Sequence, residues 1–227
     1  MHVPDGFLDA PTSLATAGVA AAGIAIALRG ARREVDDRIA PLAGLVATFV
    51  FATQMLNFPV AGGTSGHLMG GALAAVLVGP YTGLLCLTVV LAVQSLLFAD
   101  GGITALGTNV VLMGVVTVVA GYVAFRGVQL VLPRRLSMVA PAAAIGALVS
   151  VVLSAATFVG LYAVGGAVPI PLDTLLTAMV GVHTLIGVGE AVITFLVVAS
   201  IVSVRPDLVH GARRVLDVRT LETRVAA

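Results

Sequence analysis

Apolar runs separated by short polar punctuation fill most of this chain. They lie at about residues 12–28, 40–56, 66–79, 80–98, 105–125, 139–163 and 174–203. A helix rising ~1.5 Å per residue needs ~20 such residues to cross a hydrocarbon core of ~30 Å. Backbone groups in hydrocarbon must be paired within their own segment, which selects helix for each run. The breaks are Arg29–Arg38, NFPVAGGTSG, Gly79–Pro80, FADGG, RGVQLVLPRRL and GGAVPIPLD. The least obvious is Gly79–Pro80, because the chain is apolar from 66 to 99 on both sides of it. One helix of that length would run to ~50 Å, far beyond the bilayer core. Proline suits the first turn of a helix, and the residue before it resists helix. The pattern predicts an all-α polytopic membrane protein with seven transmembrane helices.

Composition agrees: 59% of the 227 residues are hydrophobic, 10% are charged, and mean hydropathy is +1.12. The charge pattern adds an orientation. All 12 basic residues are arginine, and none is lysine. With seven helices and the amino terminus outside, every arginine falls in the cytoplasm. These are Arg29, Arg32, Arg33, Arg38, Arg126, Arg134, Arg135, Arg205, Arg213, Arg214, Arg219 and Arg224. With six helices the last eight would lie outside, against the positive-inside rule. The outer surface then holds Asp5, Asp9, Asp100 and Asp173 and no arginine, an arrangement that attracts cations. Residues 1–203 read as the membrane domain, opened by a loop at 1–9, and 204–227 as a cytoplasmic arginine-rich tail. The missing lysine excludes a Walker A phosphate loop and a lysine Schiff base. A single cysteine, Cys86, excludes a disulfide framework and reads as a small core residue.

The opening MHVPDGF has no basic stretch ahead of the first apolar run, unlike a signal peptide. Histidine at position 2 is too large for removal of Met1, so the chain is expected to keep a free α-amine. The Met1 amine, the His2 amide nitrogen and the His2 imidazole can close two fused chelate rings on one ion. Such a planar nitrogen set suits Ni(II), low-spin Co(II) or Cu(II), which can displace an amide proton as hard cations cannot. The fourth position has a candidate in His67, within GGTSGHLMGG at the head of the short third run. Short, glycine-interrupted segments are where membrane proteins build ion sites, and a histidine there is costly without a partner.

Four stretches, MHVPDGFLD, FATQMLNFPVAGGTSGHLMGGALAAVLVGP, LFADGGITALGTNV and GVHTLIGVGE, resemble the signatures of the CbiM/NikM family over residues 1–203. These are substrate-binding components of energy-coupling-factor transporters for Co²⁺ or Ni²⁺ in prokaryotic cell membranes. The resemblance implies a loop threaded into the bundle and an ion held by Met1, His2 and His67. It also implies a transmembrane coupling component and a pair of cytosolic ATPases as partners, with any small accessory membrane protein a separate chain. ATP hydrolysis would then reside in the partners, as the missing lysine requires. No cofactor and no nucleic acid is expected, and no catalytic residue.

Thr64, Ser65, Gln54, Asn57, Gln94 and Asn109 are candidates to orient the ligands by hydrogen bonding, or equally to join helices. His183 and Glu190, seven apart, share one helical face; a structural pair with another helix and a metal relay are both open. Met55, Met69, Met113 and Met179 have no common spacing and read as packing rather than a soft-metal path. The first run offers a small-residue face, Gly18/Ala22, suited to close helix contact. Two rival functions are an intramembrane hydrolase, disfavoured by the absence of HExxH and GxSxG, and a stand-alone secondary metal carrier.

Overall fold

The computed structural model of the chain describes residues 1–59 and 65–217. Two helices come first, α1 (Ala10–Ala31) and α2 (Ile39–Gln54), and then a two-residue antiparallel pair, β1 (Phe58–Pro59) with β2 (Ser65–Gly66). Five more helices follow: α3 (Gly71–Val78), α4 (Pro80–Leu97), α5 (Leu106–Val131), α6 (Val139–Gly165) and α7 (Leu172–Val204). Each apolar run thus yields one helix. Helices α1, α4, α5, α6 and α7 are long and apolar enough to cross a membrane, which makes this a multi-pass membrane protein. Helix α2 has 16 residues and α3 only 8, so the expected span at 66–79 is a half-helix. Its missing half is β2 and the extended approach through His67.

The short helix is the centre of the bundle. Every residue of α3 is buried, and it packs against α4, α5 and α6. Close approach is possible because a Cβ on Gly121 of α5 would lie 2.5 Å from that of Ala72, and one on Gly146 of α6 would lie 2.6 Å from the Gly121 carbonyl. The break after α3 is as expected: Gly79 takes φ +99°, a conformation that L side chains resist, and Pro80 opens α4. Gly79 offers no capping side chain. Glu34, from the α1–α2 loop, supplies one, accepting hydrogen bonds from Thr82 N at 2.7 Å and Thr82 Oγ1 at 2.9 Å.

Outward faces are apolar where a soluble protein's would be polar. Leu14 on α1, Val123 on α5 and Leu185 on α7 are 73%, 64% and 74% exposed, as lipid-facing positions require. The Gly18/Ala22 face of α1 is also exposed, so it makes no internal helix contact.

Helix α5 is not α-helical throughout. Residues Val110–Val116 form wide, π-type turns between α-helical ends. Such turns leave carbonyls poorly served. Ser154 Oγ from α6 donates to Leu112 O at 2.8 Å, and Thr117 Oγ1 donates to Met113 O at 2.6 Å.

The chain returns to two ends. Residues 1–9, 99–105 and 165–171 meet at one: Gly102 N donates to Val3 O at 2.9 Å, Asp9 N to Gly165 O at 2.7 Å, and Ala167 N to Phe7 O at 3.0 Å. At the other, Gln129 Nε2 donates to Gly211 O at 3.1 Å and Arg38 lies 3.7 Å from Asp207. All ten described arginines belong to that second end.

Candidate metal centre

The amino terminus is folded into the bundle, not laid across it. Met1, Val3, Phe7 and Leu8 are buried in one apolar cluster with Met69, Met113 and Met179. Phe7 stacks on Phe158 and meets Tyr162 at a tilt, with ring centroids 5.5 Å apart in both cases. Asn109, at the start of the wide turns, clamps the loop from both sides: its Oδ1 accepts from Val3 N at 2.7 Å and its Nδ2 donates to Val3 O at 3.1 Å. Gly101, at φ +94°, lets FADGG pass beneath; a Cβ there would sit 2.9 Å from Asn109 Nδ2 and 3.2 Å from the His2 ring. Asp5 ties the loop to the same turn, accepting from Thr104 N at 2.8 Å.

Two histidine rings meet at the end of this loop. His2 and His67 lie with ring centroids 4.5 Å apart, tilted by 30°. His2 Nε2 is 3.1 Å from Gln94 Oε1, and its Nδ1 makes no hydrogen bond. Nδ1 is the nitrogen a chelate ring with the His2 amide needs. His67 is fully buried; its Nδ1 donates to Leu68 O at 2.8 Å, and its Nε2 has no hydrogen-bond partner. The Met1 amine lies within electrostatic reach of His2, His67 and His183.

Burial pulls the Met1 amine from 8.0 down to about 4, against an opposing pull from Asp100. Burial, then the adjacent amino terminus, also lowers His2. Both groups are therefore neutral near pH 7 and hold free lone pairs, the state a metal requires. Among the described residues no three His, Cys, Asp or Glu side chains are placed to hold an ion by themselves. A nitrogen site here must draw on the chain terminus and backbone.

The segment carrying His67 is held from both flanks. Gln54 Nε2 donates to Met69 O at 2.7 Å. Glu190 on α7 accepts from Met69 N at 2.6 Å and Gly70 N at 3.0 Å, so its partner is backbone, not another side chain. His183, two turns earlier, donates from Nδ1 to Met179 O at 2.8 Å and leaves a buried, unpartnered Nε2. The sequence-predicted residues thus divide. Met1, His2, His67, Gln94 and Asn109 converge, while Gln54 and Glu190 fix the backbone beside His67. Asn57 is exposed beyond α2 and stands apart from them. Ser65 lies in β2, opposite Pro59, and Thr64 lies outside the described residues. Met69, Met113 and Met179 are fully buried in the apolar cluster, as packing residues are, whereas Met55 is partly exposed.

One residue was missed. Asp100, read from sequence only as one of several outer acids, places Oδ1 3.2 Å from His2 Nδ1. Its FADGG context, two glycines directly after an acid, was the available signal.

Comparison with known proteins follows the same outline. Residues 2–208 match the family model described as the cobalt uptake substrate-specific transmembrane region, CbiM. A relative from Haloquadratum walsbyi named for metal transport is 40% identical over 209 residues, covering 92% of this chain and 93% of that one. The fused nickel transport protein NikMN of Rhodobacter capsulatus is 34% identical over 94% of this chain and 65% of its own length. A solved structure described as a transition metal transporter aligns with a TM-score of 0.78 and 30% identity, over 90% of this chain and 93% of that one. In sequence and in fold alike, the chain belongs to the CbiM family.

Proposed function

We propose that this protein is the ion-recognising membrane component of a Co²⁺ or Ni²⁺ importer, binding one ion through four nitrogens. The donors are the Met1 amine, the His2 amide, His2 Nδ1 and His67 Nε2. The observation that carries this reading is the buried, unpartnered His67 Nε2, on a ring whose centroid lies 4.5 Å from that of His2 beside the buried chain terminus. An orphaned imidazole nitrogen in an apolar interior is costly unless something fills it. Three nitrogens from two consecutive residues lie in one plane, which favours d⁸ Ni(II) and low-spin Co(II) over tetrahedral Zn(II).

In this reading the amino-terminal end faces outward and the arginine-bearing end faces the cytoplasm, with seven membrane segments between them. The chain has no lysine and so no Walker A loop, and ATP hydrolysis would come from separate cytosolic ATPases acting through a coupling membrane protein. A stand-alone carrier would lack ATP motifs equally; co-purification of an ATPase from the native membrane separates the two.

Metal content of purified protein tests the site. His67→Ala should lose stoichiometric nickel or cobalt while keeping its helical content, because apolar packing around α3 is barely touched. A tag joined to Met1 turns the amine into an amide, a poor ligand, and should abolish binding, whereas a carboxy-terminal tag should not. Equal metal content in the two tagged proteins would overturn the terminal-amine site.

A further inference from the structure

We propose that Asp100 is the charge partner of the bound ion: its carboxylate makes the buried ion–ligand assembly electrically neutral and so selects for a divalent cation. The proposal rests on the four-nitrogen reading above. The count is simple. A divalent ion brings two positive charges. The His2 amide, having lost its proton, brings one negative charge, and the amine and two imidazoles bring none. A net charge of plus one would then sit among residues that are almost wholly buried, with Met1 at 2% and His67 at 0% exposure. An uncompensated charge in such surroundings is expensive. One carboxylate cancels it.

Asp100 is the described carboxylate that reaches the donors; Glu190, buried behind His67, spends its two oxygens on Met69 N and Gly70 N. Its Oδ1 lies 3.2 Å from His2 Nδ1, and the same carboxylate acts electrostatically on the Met1 amine. Its Oδ2 is buried without a hydrogen-bond partner. A metal–nitrogen bond is ~2 Å, so any ion on Nδ1 falls within ~5 Å of Asp100 Oδ1. The other acids of this end are engaged elsewhere: Asp5 on Thr104, Asp9 as the cap of α1, and Asp173 on the N–H of Thr174.

The local chain keeps Asp100 there. Asp100 N donates to the backbone oxygen of Gln94 at 3.1 Å, while the side chain of that same Gln94 holds His2 Nε2. One residue thus holds the His2 ring and the carboxylate in place together. Ala99, at φ +53°, makes the tight turn between them. With the four corners assigned to nitrogens, and no three described side chains placed as a ligand cluster, Asp100 acts beside the nitrogen plane as a counter-charge.

Nickel(II) chloride titrated into detergent-purified protein tests this, read from the visible band of planar four-nitrogen Ni(II). Asp100→Asn keeps size and polarity but removes the charge. It should show the same band at saturation with affinity weakened about 100-fold, the order expected for one unit charge at ~5 Å in a partly screened interior. Asp100→Glu should stay within about tenfold of the parent. A merely structural hydrogen-bonding role predicts the reverse order, with asparagine the better replacement. If the parent gives the band and Asp100→Asn binds within threefold of it, the charge-partner role is overturned and the four-nitrogen site stands. A parent without the band overturns both. Should Asp100→Asn give no band at all, recovery in Asp100→Glu upholds the proposal and its failure to recover overturns it.

Discussion

Removing the side chain of Asn109 should weaken metal binding without touching any proposed ligand. In the intact protein Asn109 is 1% exposed and hydrogen-bonds both Val3 N and Val3 O, at 2.7 and 3.1 Å. The two losses in Asn109→Ala are unequal. Val3 O keeps a second donor, Gly102 N at 2.9 Å, so its loss is one net hydrogen bond, about 1 kcal/mol. Val3 N–H, in a residue only 1% exposed, is left with nothing, which costs about 1–3 kcal/mol. Together these destabilise the docked loop by about 2–4 kcal/mol. At 1.4 kcal/mol per decade that corresponds to roughly 30- to 1000-fold in the docking equilibrium. Apparent affinity falls by the fraction of protein whose loop is docked, so this range is the ceiling on the loss of nickel affinity. Chelator-competition titration measures it, and amide exchange of residues 1–7 shows whether the loop has loosened. The saturating stoichiometry should stay at one. A variant with parental affinity and parental exchange protection would refute the assignment of Asn109 as the clamp.

Affinity should fall about tenfold per pH unit between pH 8 and 5, because one amide proton leaves for each ion bound, and more steeply near pH 4, where the buried amine takes its proton. A slope above two around pH 7 would mean a solvated amine and imidazoles, and no slope would exclude the amide nitrogen. Without metal, docking of residues 1–7 should weaken as pH falls from about 8 to about 4. The released amine, at 8.0, binds its proton before the buried one at about 4, so acid favours the undocked loop; limited proteolysis across that range follows it. Glu190→Ala orphans Met69 N–H and Gly70 N–H and should cost about 2–6 kcal/mol in thermal or denaturant unfolding, whereas Glu190→Gln, which keeps one acceptor, should cost clearly less. Equal stability of the alanine variant and the parent would leave Glu190 without its structural role.

The order of apolar runs was legible because hydrophobic length is a local property, and so was the break at Gly79–Pro80, which proline and glycine announce. His2 and His67 were legible as partners because chelation chemistry names its own donors. The outcome for Asn57 and Asn109 shows the limit. Both were polar residues near the edge of a run, but only Asn109 faces Val3, 106 positions away, and periodicity carries no information on that pairing. Asp100 escaped notice for the same reason: its neighbour in space is 98 residues off in the chain. Glu190 was seen as needing a partner, yet backbone N–H groups of another segment have no sequence signature. The wide turns of α5 are equally silent, since VVLMGVV reads as ordinary apolar helix.

Those wide turns set the angular phase between the two halves of α5. In an α-helix each residue advances ~100° around the axis, so any departure from that step rotates everything upstream relative to everything downstream. Downstream, Thr117 and Gly121 are committed to the packed interior beside α3. Upstream, Asn109 must point at the amino-terminal loop. Deleting a single residue from Val110–Val116 would keep the helix apolar and long enough for the bilayer, yet swing Asn109 by about a quarter-turn or more away from Val3. Shifts of one residue within this stretch should therefore disconnect metal binding from an otherwise intact bundle.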